Sequence, residues 1–556
     1  MDQSVFDTSE VCYQQGVRHA VFSPGSRNAA LSISFNRNTK INTRVILDER
    51  SAGFIALGIA QETKRPVVLC CTSGSALLNY GPAIAEAYYQ RIPLVVLSAD
   101  RPPEWIDQWD GQTIRQQNPF AQHILSFQQV AVDRSHPDAA WEYRRKISQS
   151  ALLASGKSGP VHVNIPFREP FYPKQTDSWS FSTISPLKYL HETTHPELPI
   201  DLLSEWTVKE KKIIVLGQGQ LTKNDRLLLS RLSLEKGIPI INEVTGNGHA
   251  ISNVIHHQDL FLLNATNWDE LSPDLVVTIG LSTISKNLKM LLRQGNFRHW
   301  HVSEANELPG DTFQKLSVSI GSSTMAFLNA MIELPEQKTG YQELWKKHQR
   351  KAEIALEGLA TTKYSEFGCF RRVLQDIPDE AILHLSNSMP VRYANLLGAT
   401  KPNQLVYCNR GTSGIDGSNS TAVGQAFSTE RLVVLLTGDL SFLYDRNAFL
   451  HEYDLSNLRV IVFNNFGGGI FDLIQGPRQL ETSEREKLFT TPHHKDLKNS
   501  AADAGMLYYK ANDEVTLELA LNDFFERSDL PKLLEIQTVH KTNLEVYNQI
   551  KKSIQK

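Results

Sequence analysis

The sequence predicts an α/β fold built from three doubly wound parallel-sheet domains. Short runs of apolar, often β-branched residues recur along the chain, for example over 66–72, 92–99 and 432–437. Their hydrophobicity is continuous rather than alternating, which indicates strands buried on both faces. Helix-length segments such as 76–90 separate these runs. This alternation of strands and helices favours parallel sheets with helices on both faces.

Two changes in composition predict the domain boundaries. The chain has 556 residues, enough for several domains. A segment rich in proline, serine, threonine and aromatic residues occupies 168–198, and a second break falls at 334–341. Segments of this composition are typical of linkers. We therefore expect an N-terminal domain over 1–180, a central domain over 181–340 and a C-terminal domain over 341–556.

Charge and composition exclude several functional classes. The 57 lysines and arginines against 60 aspartates and glutamates give a net charge of −3, so no basic excess favours nucleic-acid binding. No apolar run approaches the ~20 residues of a membrane-spanning helix. The polar first residues do not resemble a signal peptide. The five cysteines show no C-x-x-C spacing, which is typical of a reduced, cytoplasmic protein.

Two glycine-containing segments follow strand-like runs in the C-terminal domain. Asp439, within Gly-Asp-Leu-Ser over 438–441, follows one run, and Asn465, with Gly467 two residues on, follows the next. The carboxyl ends of parallel strands meet at one sheet edge, where α/β proteins bind ligands. A carboxylate, an amide oxygen and a glycine-loop carbonyl suit Mg²⁺ or Mn²⁺ shared with a diphosphate. Alternatively, Asp439 is a helix N-cap and the glycines form a plain turn.

Several motifs together resemble one enzyme family. The pair Asp439 and Asn465 resembles the thiamine-diphosphate motif, with Leu440 in place of its last glycine. Matching segments in both terminal domains are similar to the thiamine-diphosphate-dependent carboligases of menaquinone biosynthesis: 23–27, 48–53, 72–74, 99–104, 409–417, 439–445 and 464–471. The resemblance implies a thiamine-diphosphate-binding fold. In that fold the N-terminal domain holds the pyrimidine ring, and the C-terminal domain holds the diphosphate with Mg²⁺ or Mn²⁺.

The resemblance also implies which residues hold and activate the cofactor. Glu49 is the expected catalytic residue, because a carboxyl group hydrogen-bonded to the pyrimidine promotes the tautomer that deprotonates the thiazolium ring. Without the resemblance, Glu49 would be interpreted as a residue that complements a helix dipole. The apolar side chain of Ile415 is expected to support the bent shape of the cofactor. The expected metal ligands are Asp439, Asn465 and Gly467, and the expected cofactor-binding residues are Ile415, Gly438, Asp439, Ser441, Asn465 and Ile470.

The implied reaction is decarboxylation of 2-oxoglutarate followed by 1,4-addition of the remaining succinyl unit to isochorismate. Both substrates are dicarboxylates, and arginine binds carboxylates through its two-pronged guanidinium group. The family often has a second basic residue beside Lys286, where this chain has Asn287. The expected substrate-binding residues are Ser26, Arg27, Arg101, Gln112, Lys286, Ser388, Arg392 and Arg410.

The resemblance implies a homodimer or homotetramer with sites at the subunit interface, because the two ends of the cofactor bind different subunits. Two alternatives stay open. One is another thiamine-diphosphate 2-oxoacid decarboxylase or carboligase, against which the cationic loops argue. The other is a non-catalytic binding protein on the same fold, which the intact Glu49, Asp439 and Asn465 disfavour.

Overall fold

The fold contains three β-sheets, one after another along the chain. The computed structural model describes residues 2–553 apart from 170, 174–178, 185–186, 188–197, 264–268, 305–308, 336–337, 359–362, 399–400 and 474. Within these residues every strand pair of the three sheets is parallel. The predicted fold class is confirmed. Much of the predicted linker over 168–198 lies outside the described residues.

The first sheet belongs to the N-terminal domain. Its strands are β1 (His19–Phe22), β2 (Asn42–Val45), β3 (Val67–Cys71), β4 (Leu94–Asp100), β5 (Ser126–Gln129) and β6 (Val161–Pro166). Its helices are α1 (Gln3–Phe6), α2 (Thr8–Gln14), α3 (Ala29–Arg37), α4 (Glu49–Thr63), α5 (Ser75–Asn79), α6 (Gly81–Gln90) and α7 (Pro137–Lys157). The strand order is β2-β1-β3-β4-β6-β5. Every residue of β3, β4 and β6 is buried, as expected for strands covered on both faces.

The second sheet belongs to the central domain. Its strands are β7 (Lys212–Leu216), β8 (Ile240–Asn242), β9 (Leu275–Ile279), β10 (Arg298–Ser303) and β11 (Leu316–Gly321). Its helices are α8 (Ile200–Val208), α9 (Lys223–Lys236), α10 (Gln258–Phe261), α11 (Lys286–Gln294) and α12 (Thr324–Glu333). The strand order is β11-β10-β9-β7-β8.

The third sheet belongs to the C-terminal domain. Its strands are β12 (Ile382–Leu385), β13 (Leu405–Tyr407), β14 (Val433–Gly438), β15 (Leu458–Asn464), β16 (Leu507–Ala511) and β17 (Lys532–Gln537). Its helices are α13 (Tyr341–Gly358), α14 (Glu366–Asp376), α15 (Met389–Leu397), α16 (Ser418–Ala426), α17 (Asp439–Tyr444), α18 (Gln475–Arg478), α19 (Thr482–Arg485), α20 (Lys498–Asp503), α21 (Glu514–Phe524) and α22 (His540–Ser553). The order β13-β12-β14-β15-β17-β16 repeats that of the first sheet. The boundaries at 180 and 340 fall between the sheets and stay predictions.

Helices α4 and α16 join the N-terminal and C-terminal domains at two glycines. A Cβ on Gly58 would lie 2.1 Å from the carbonyl oxygen of Thr421, and one on Gly424 would lie 2.1 Å from that of Ile55. Only glycine permits backbones to approach this closely. Around this crossing, buried apolar residues of both domains form one core. The relative position of the two domains is therefore set by core packing.

Two structural findings concern the expectations about membrane spans and cysteines that the composition suggested. Among the described helices, none combines the length and hydrophobicity needed to cross a bilayer. All five cysteines are buried and unpaired.

Candidate active site

The strand register places Asp439 beside the loop after β15. Strands β14 and β15 are neighbours, with Gly438 opposite Phe463, so Asp439 and Asn465 follow adjacent strand ends. The buried Asp439 is the first residue of α17, and Gly438 is the N-cap. Its Oδ2 accepts a hydrogen bond from the Gly467 backbone nitrogen at 2.9 Å. The structure thus brings the three expected metal ligands together.

Asn465 is held by a carboxyl group that the sequence did not single out. Its Nδ2 donates to Oε2 of Glu366 at 2.7 Å. Its Oδ1 is buried and has no hydrogen-bond partner among the described residues. Burial and the nearby Asp439 carboxylate together raise the pKa of Glu366 to about 7, against the hydrogen bond from Asn465. Glu366 therefore fixes the amide so that its oxygen is left free.

The turn between Asn465 and Gly467 has a strained backbone. Phe466 adopts a φ of 65°, the left-handed region that bulky residues rarely enter. A Cβ on Gly467 would lie 2.9 Å from the carbonyl oxygen of Thr490. His493, on the same segment as Thr490, places Nε2 3.2 Å from Asp439 Oδ2. Backbone strain of this kind persists where the surrounding structure enforces it, often at functional sites.

These atoms fit a hard divalent cation bound with a diphosphate. The donor set comprises the Asp439 carboxylate, the unpartnered Asn465 Oδ1 and the Gly467 carbonyl. That carbonyl accepts one hydrogen bond, from the Gly469 nitrogen at 3.0 Å, and retains a second lone pair. A Cβ on Gly438 would meet no atom within 4 Å, so the space beside it is open to a ligand. Oxygen donors of this kind are those that Mg²⁺ and Mn²⁺ prefer.

The remaining expected cofactor residues surround this edge of the third sheet. Ser441 is buried in α17, and its Oγ donates to the carbonyl oxygen of Ile415 at 3.1 Å. This bond ties the loop that carries Ile415 to the helix that carries Asp439. Ile470 lies after the glycine loop, half-buried against the core.

Glu49 lies in a cavity of the N-terminal domain. It is the first residue of α4, which Asp48 caps by accepting from the backbone nitrogens of Arg50 and Ser51. The half-buried Glu49 carboxylate accepts from Asn79 Nδ2 at 3.4 Å. The cavity, about 490 Å³, is also lined by Gln112, an expected substrate residue. Its size is in the range of small-molecule sites.

Arg27 and Arg101 form a pair in the same domain. Arg27 is buried, donates to the Phe167 carbonyl at 3.2 Å, and its guanidinium lies 4.5 Å from the ring centroid of Phe171. Burial lowers the pKa of Arg27, and the neighbouring charge of Arg101 lowers it further. Arg101 forms an ion pair with Asp110 at 3.0 Å, and Asp110 also lines the Glu49 cavity. Ser26 is exposed beside this pair in sequence.

Arg392 and Arg410 form a second pair, in the C-terminal domain. Burial lowers the pKa of Arg392, and the charge of Arg410 lowers it further. Arg410 Nη1 donates to Asn387 Oδ1 at 3.0 Å. Ser388 follows Asn387 with a φ of 75° and caps α15, the helix that carries Arg392. Neither arginine forms an ion pair within the described part of the chain.

The central domain contributes Lys286 and Asn287 at the start of α11. Lys286 is exposed. Asn287 Nδ2 donates to Oδ1 of Asp259 at 3.1 Å and to its carbonyl oxygen at 3.2 Å. The neutral Asn287 is therefore held by a carboxylate within its own domain.

Apart from Lys286 in the central domain, the expected residues fall into two groups. Glu49, Gln112, Arg27 and Arg101 belong to the N-terminal domain, whereas the metal ligands, Arg392 and Arg410 belong to the C-terminal domain. Among the described residues, no hydrogen bond or ion pair joins Glu49 or Gln112 to Asp439, Asn465 or Gly467. His493 and Glu366 had no sequence signal, because they lie far along the chain from the ligands that they contact.

Comparison with known proteins agrees with this architecture. The family model described as "Thiamine pyrophosphate enzyme, N-terminal TPP binding domain" matches residues 7–124. A 2-succinyl-5-enolpyruvyl-6-hydroxy-3-cyclohexene-1-carboxylate synthase of Cytophaga hutchinsonii is 43% identical, over 100% of this chain and 99% of that protein. Proteins of the same name from Christiangramia forsetii and Desulfotalea psychrophila are each 37% identical, over 96% of this chain and 96% and 98% of their own lengths.

A matched cofactor-binding domain, with parallel sheets throughout, defines the class: this is a thiamine-diphosphate-dependent enzyme that forms carbon–carbon bonds. Identity over the whole chain narrows the class further. The chain belongs to the 2-succinyl-5-enolpyruvyl-6-hydroxy-3-cyclohexene-1-carboxylate synthase family of menaquinone biosynthesis.

Proposed function

We propose that the enzyme decarboxylates 2-oxoglutarate and adds the remaining succinyl unit to isochorismate in a 1,4 sense. The product is 2-succinyl-5-enolpyruvyl-6-hydroxy-3-cyclohexene-1-carboxylate, the compound in the name of its relatives. The observation that carries this proposal is the buried, unpartnered Asn465 Oδ1 beside Asp439, a site suited to a metal diphosphate. Four arginines in two pairs supply the charge that two dicarboxylates require.

Asp439, Asn465 and the Gly467 carbonyl would hold Mg²⁺ or Mn²⁺, which would supply positive charge for the diphosphate. Gly438, Ser441, Ile415 and Ile470 would enclose the cofactor at the same sheet edge. When bound, thiamine diphosphate supplies a carbon nucleophile and an electron sink for decarboxylation.

Glu49 would hold a proton on its carboxyl group and share it with a pyrimidine ring nitrogen. Its position in the cavity supports this role, because a ligand bound there would lie within reach of the half-buried Glu49 carboxyl group. The assignment makes Glu49 the only side chain that we describe as catalytic.

The arginines would bind and orient the two substrates. Arg27 and Arg101, with Ser26 and Gln112, form the part of the substrate site in the N-terminal domain. Arg392 and Arg410, with Ser388 and Lys286, form the part contributed by the other two domains. The buried guanidinium group of Arg27 would bind a carboxylate strongly, because little water competes for its charge. Orientation of both substrates limits side reactions of the decarboxylated fragment.

We further propose that the active unit is a homodimer or homotetramer with Glu49 and Asp439 from different chains at each site. The lack of a direct hydrogen bond or ion pair between Glu49 and the expected metal ligands, among the described residues, supports this arrangement. Cytoplasmic location completes the proposal, since five buried, unpaired cysteines suit a reducing compartment.

The function is tested with purified protein, thiamine diphosphate, Mg²⁺, 2-oxoglutarate and isochorismate. Loss of the isochorismate diene absorbance is followed, and the product is identified by its mass. Consumption that requires both the cofactor and 2-oxoglutarate supports the proposal. Release of CO₂ without loss of isochorismate would instead indicate a simple 2-oxoacid decarboxylase. Neither reaction, together with no cofactor binding, would indicate a binding protein on this fold.

A further inference from the structure

Lys289 is a half-buried lysine that the sequence did not single out. It lies three residues after Lys286 on α11, the amphipathic helix whose buried residues are Leu288, Leu291 and Leu292. Its Nζ donates to the carbonyl oxygen of Thr283 at 2.7 Å. Lys289 is therefore drawn toward the loop that precedes its helix, whereas Lys286 is exposed to solvent.

This loop contacts the Arg410 segment of the C-terminal domain. Ser282 Oγ donates to the Arg410 carbonyl oxygen at 3.4 Å. Burial lowers the pKa of Lys289, and the charges of Arg410 and Arg392 lower it further, while Glu243 opposes the shift. The positive charges of Lys289 and the two arginines therefore disfavour one another electrostatically.

The carboxylates around this cluster are already engaged. The buried Glu243 accepts from the backbone nitrogens of Ile284 and Ser285, at 2.7 and 3.1 Å. Asp259 Oδ1 accepts from Ser285 Oγ at 2.6 Å and from the amide of Asn287. In the described part of the chain, neither Lys289 nor the two arginines form an ion pair within 4.0 Å. Lys289 and Arg410 are half-buried, Arg392 is exposed, and cations without an ion-pair partner among the described residues can bind a carboxylate ligand.

We propose that Lys289 binds a carboxylate of the acceptor, isochorismate, together with Arg392 and Arg410. The inference rests on the proposed function and deepens it, because it adds a residue of the central domain to the recognition of the acceptor's charge. Asn287 is neutral and held by Asp259, so it cannot supply this charge. Lys289 lies on the same helix, and its Nζ donates to Thr283, the neighbour of the serine that contacts the Arg410 backbone.

The test compares Lys289→Met and Lys289→Arg with the unmodified enzyme. Lys223→Met, at the exposed start of α9 in the same domain, is the matched control. Steady-state kinetics are measured with each substrate varied in turn, and isochorismate binding is measured directly by calorimetry. Unfolding midpoints and cofactor affinities confirm that each variant is folded and loaded.

We expect Lys289→Met to raise KM and Kd for isochorismate about 10- to 100-fold, the loss of one charged hydrogen bond. KM for 2-oxoglutarate and kcat should stay within about twofold, and Lys289→Arg should restore most of the affinity. Unchanged isochorismate affinity in Lys289→Met, or an equal rise in KM for both substrates, would overturn the inference. If the unmodified enzyme neither binds nor consumes isochorismate, the proposed function itself fails, and the two failures are distinct.

Discussion

The carboxylate of Glu86, on α6 of the N-terminal domain, holds the backbone of Gly411 in the C-terminal domain. Glu86 Oε1 accepts from the Gly411 nitrogen at 2.7 Å, and Oε2 accepts from the Thr412 nitrogen at 2.6 Å and the Thr412 hydroxyl at 2.5 Å. Glu86 is fully buried. The loop it holds lies between Arg410 and Ile415, so one carboxylate links the domain interface to two expected site residues.

Glu86→Gln should weaken substrate binding although Glu86 contacts no substrate. An amide can accept only through its oxygen, so one of the backbone donors loses its partner. We expect the free energy of unfolding to fall by about 2 kcal/mol and kcat/KM to fall about tenfold. Glu142→Gln, which removes an exposed ion pair with Lys146, is the control and should cost under about 0.5 kcal/mol. Unaltered kcat/KM in Glu86→Gln would show that this loop needs no such anchor.

Asp439→Ala should abolish tight binding of the cofactor with its metal. The change removes the buried carboxylate that we propose as a metal ligand, and with it the acceptor of the Gly467 N–H bond. We expect the affinity for thiamine diphosphate in the presence of Mg²⁺ to fall at least about 100-fold in titration calorimetry. Asp503→Ala, an exposed aspartate at the end of α20, controls for the loss of charge. Cofactor binding of normal strength in Asp439→Ala would refute the metal-site assignment.

Glu49→Gln should separate cofactor binding from chemistry. Glutamine preserves the size of the side chain and can still accept from Asn79, but it cannot share a carboxyl proton. We expect kcat to fall by about 100- to 10,000-fold, with the cofactor Kd changed only a few-fold. The measurement is a turnover assay beside a cofactor titration. A normal turnover rate in Glu49→Gln would show that Glu49 is not catalytic.

Asp445 should make stability depend on pH near neutrality. Burial raises the pKa of Asp445 from 3.8 to about 7, and hydrogen bonds from the Ser420 nitrogen and hydroxyl, each 2.7 Å, oppose the shift. Since the native state binds this proton more tightly than the unfolded chain, the contribution to stability is fully present below the unfolded pKa. It is lost as the pH rises through about 7.

The check for Asp445 is its asparagine variant, which cannot titrate. Unfolding midpoints of the enzyme and of Asp445→Asn are compared at about pH 5 and pH 8. The advantage of the unmodified enzyme over the variant should be larger at the lower pH. A difference that stays constant, or grows with pH, would contradict the shift.

The sequence was sufficient to predict the parts of the site whose residues follow consecutive strands. Asp439 and Asn465 end consecutive buried strands, and consecutive strands joined by a crossover are neighbours in the sheet, so their proximity could be predicted. The shared strand order of the first and third sheets could not be predicted, because the two domains share no repeated sequence.

Side-chain contacts between residues far apart in the chain could not be predicted from the sequence. Glu366, Glu86 and His493 reach the site from α14, α6 and the segment before α20, and their chain separations from their partners carry no pattern. Buried carboxylates are rare, so no composition rule would have placed Glu86 or Glu366 in the interior. By contrast, the position of Lys289 beside Leu288 and Leu292 was a usable signal, because helix periodicity places it near the buried face.

The central claim is that Glu49 of one chain and Asp439 of another form each reaction centre. The direct measurement uses Glu49→Gln and Asp439→Ala chains carrying different affinity tags, co-expressed and purified through both tags. Each variant alone should be inactive. In a mixed dimer, one of the two sites receives an unaltered Glu49 and an unaltered Asp439, so we expect about half the activity of the unmodified dimer. A mixed assembly with no activity above that of the single variants would place both residues in one chain and contradict the account.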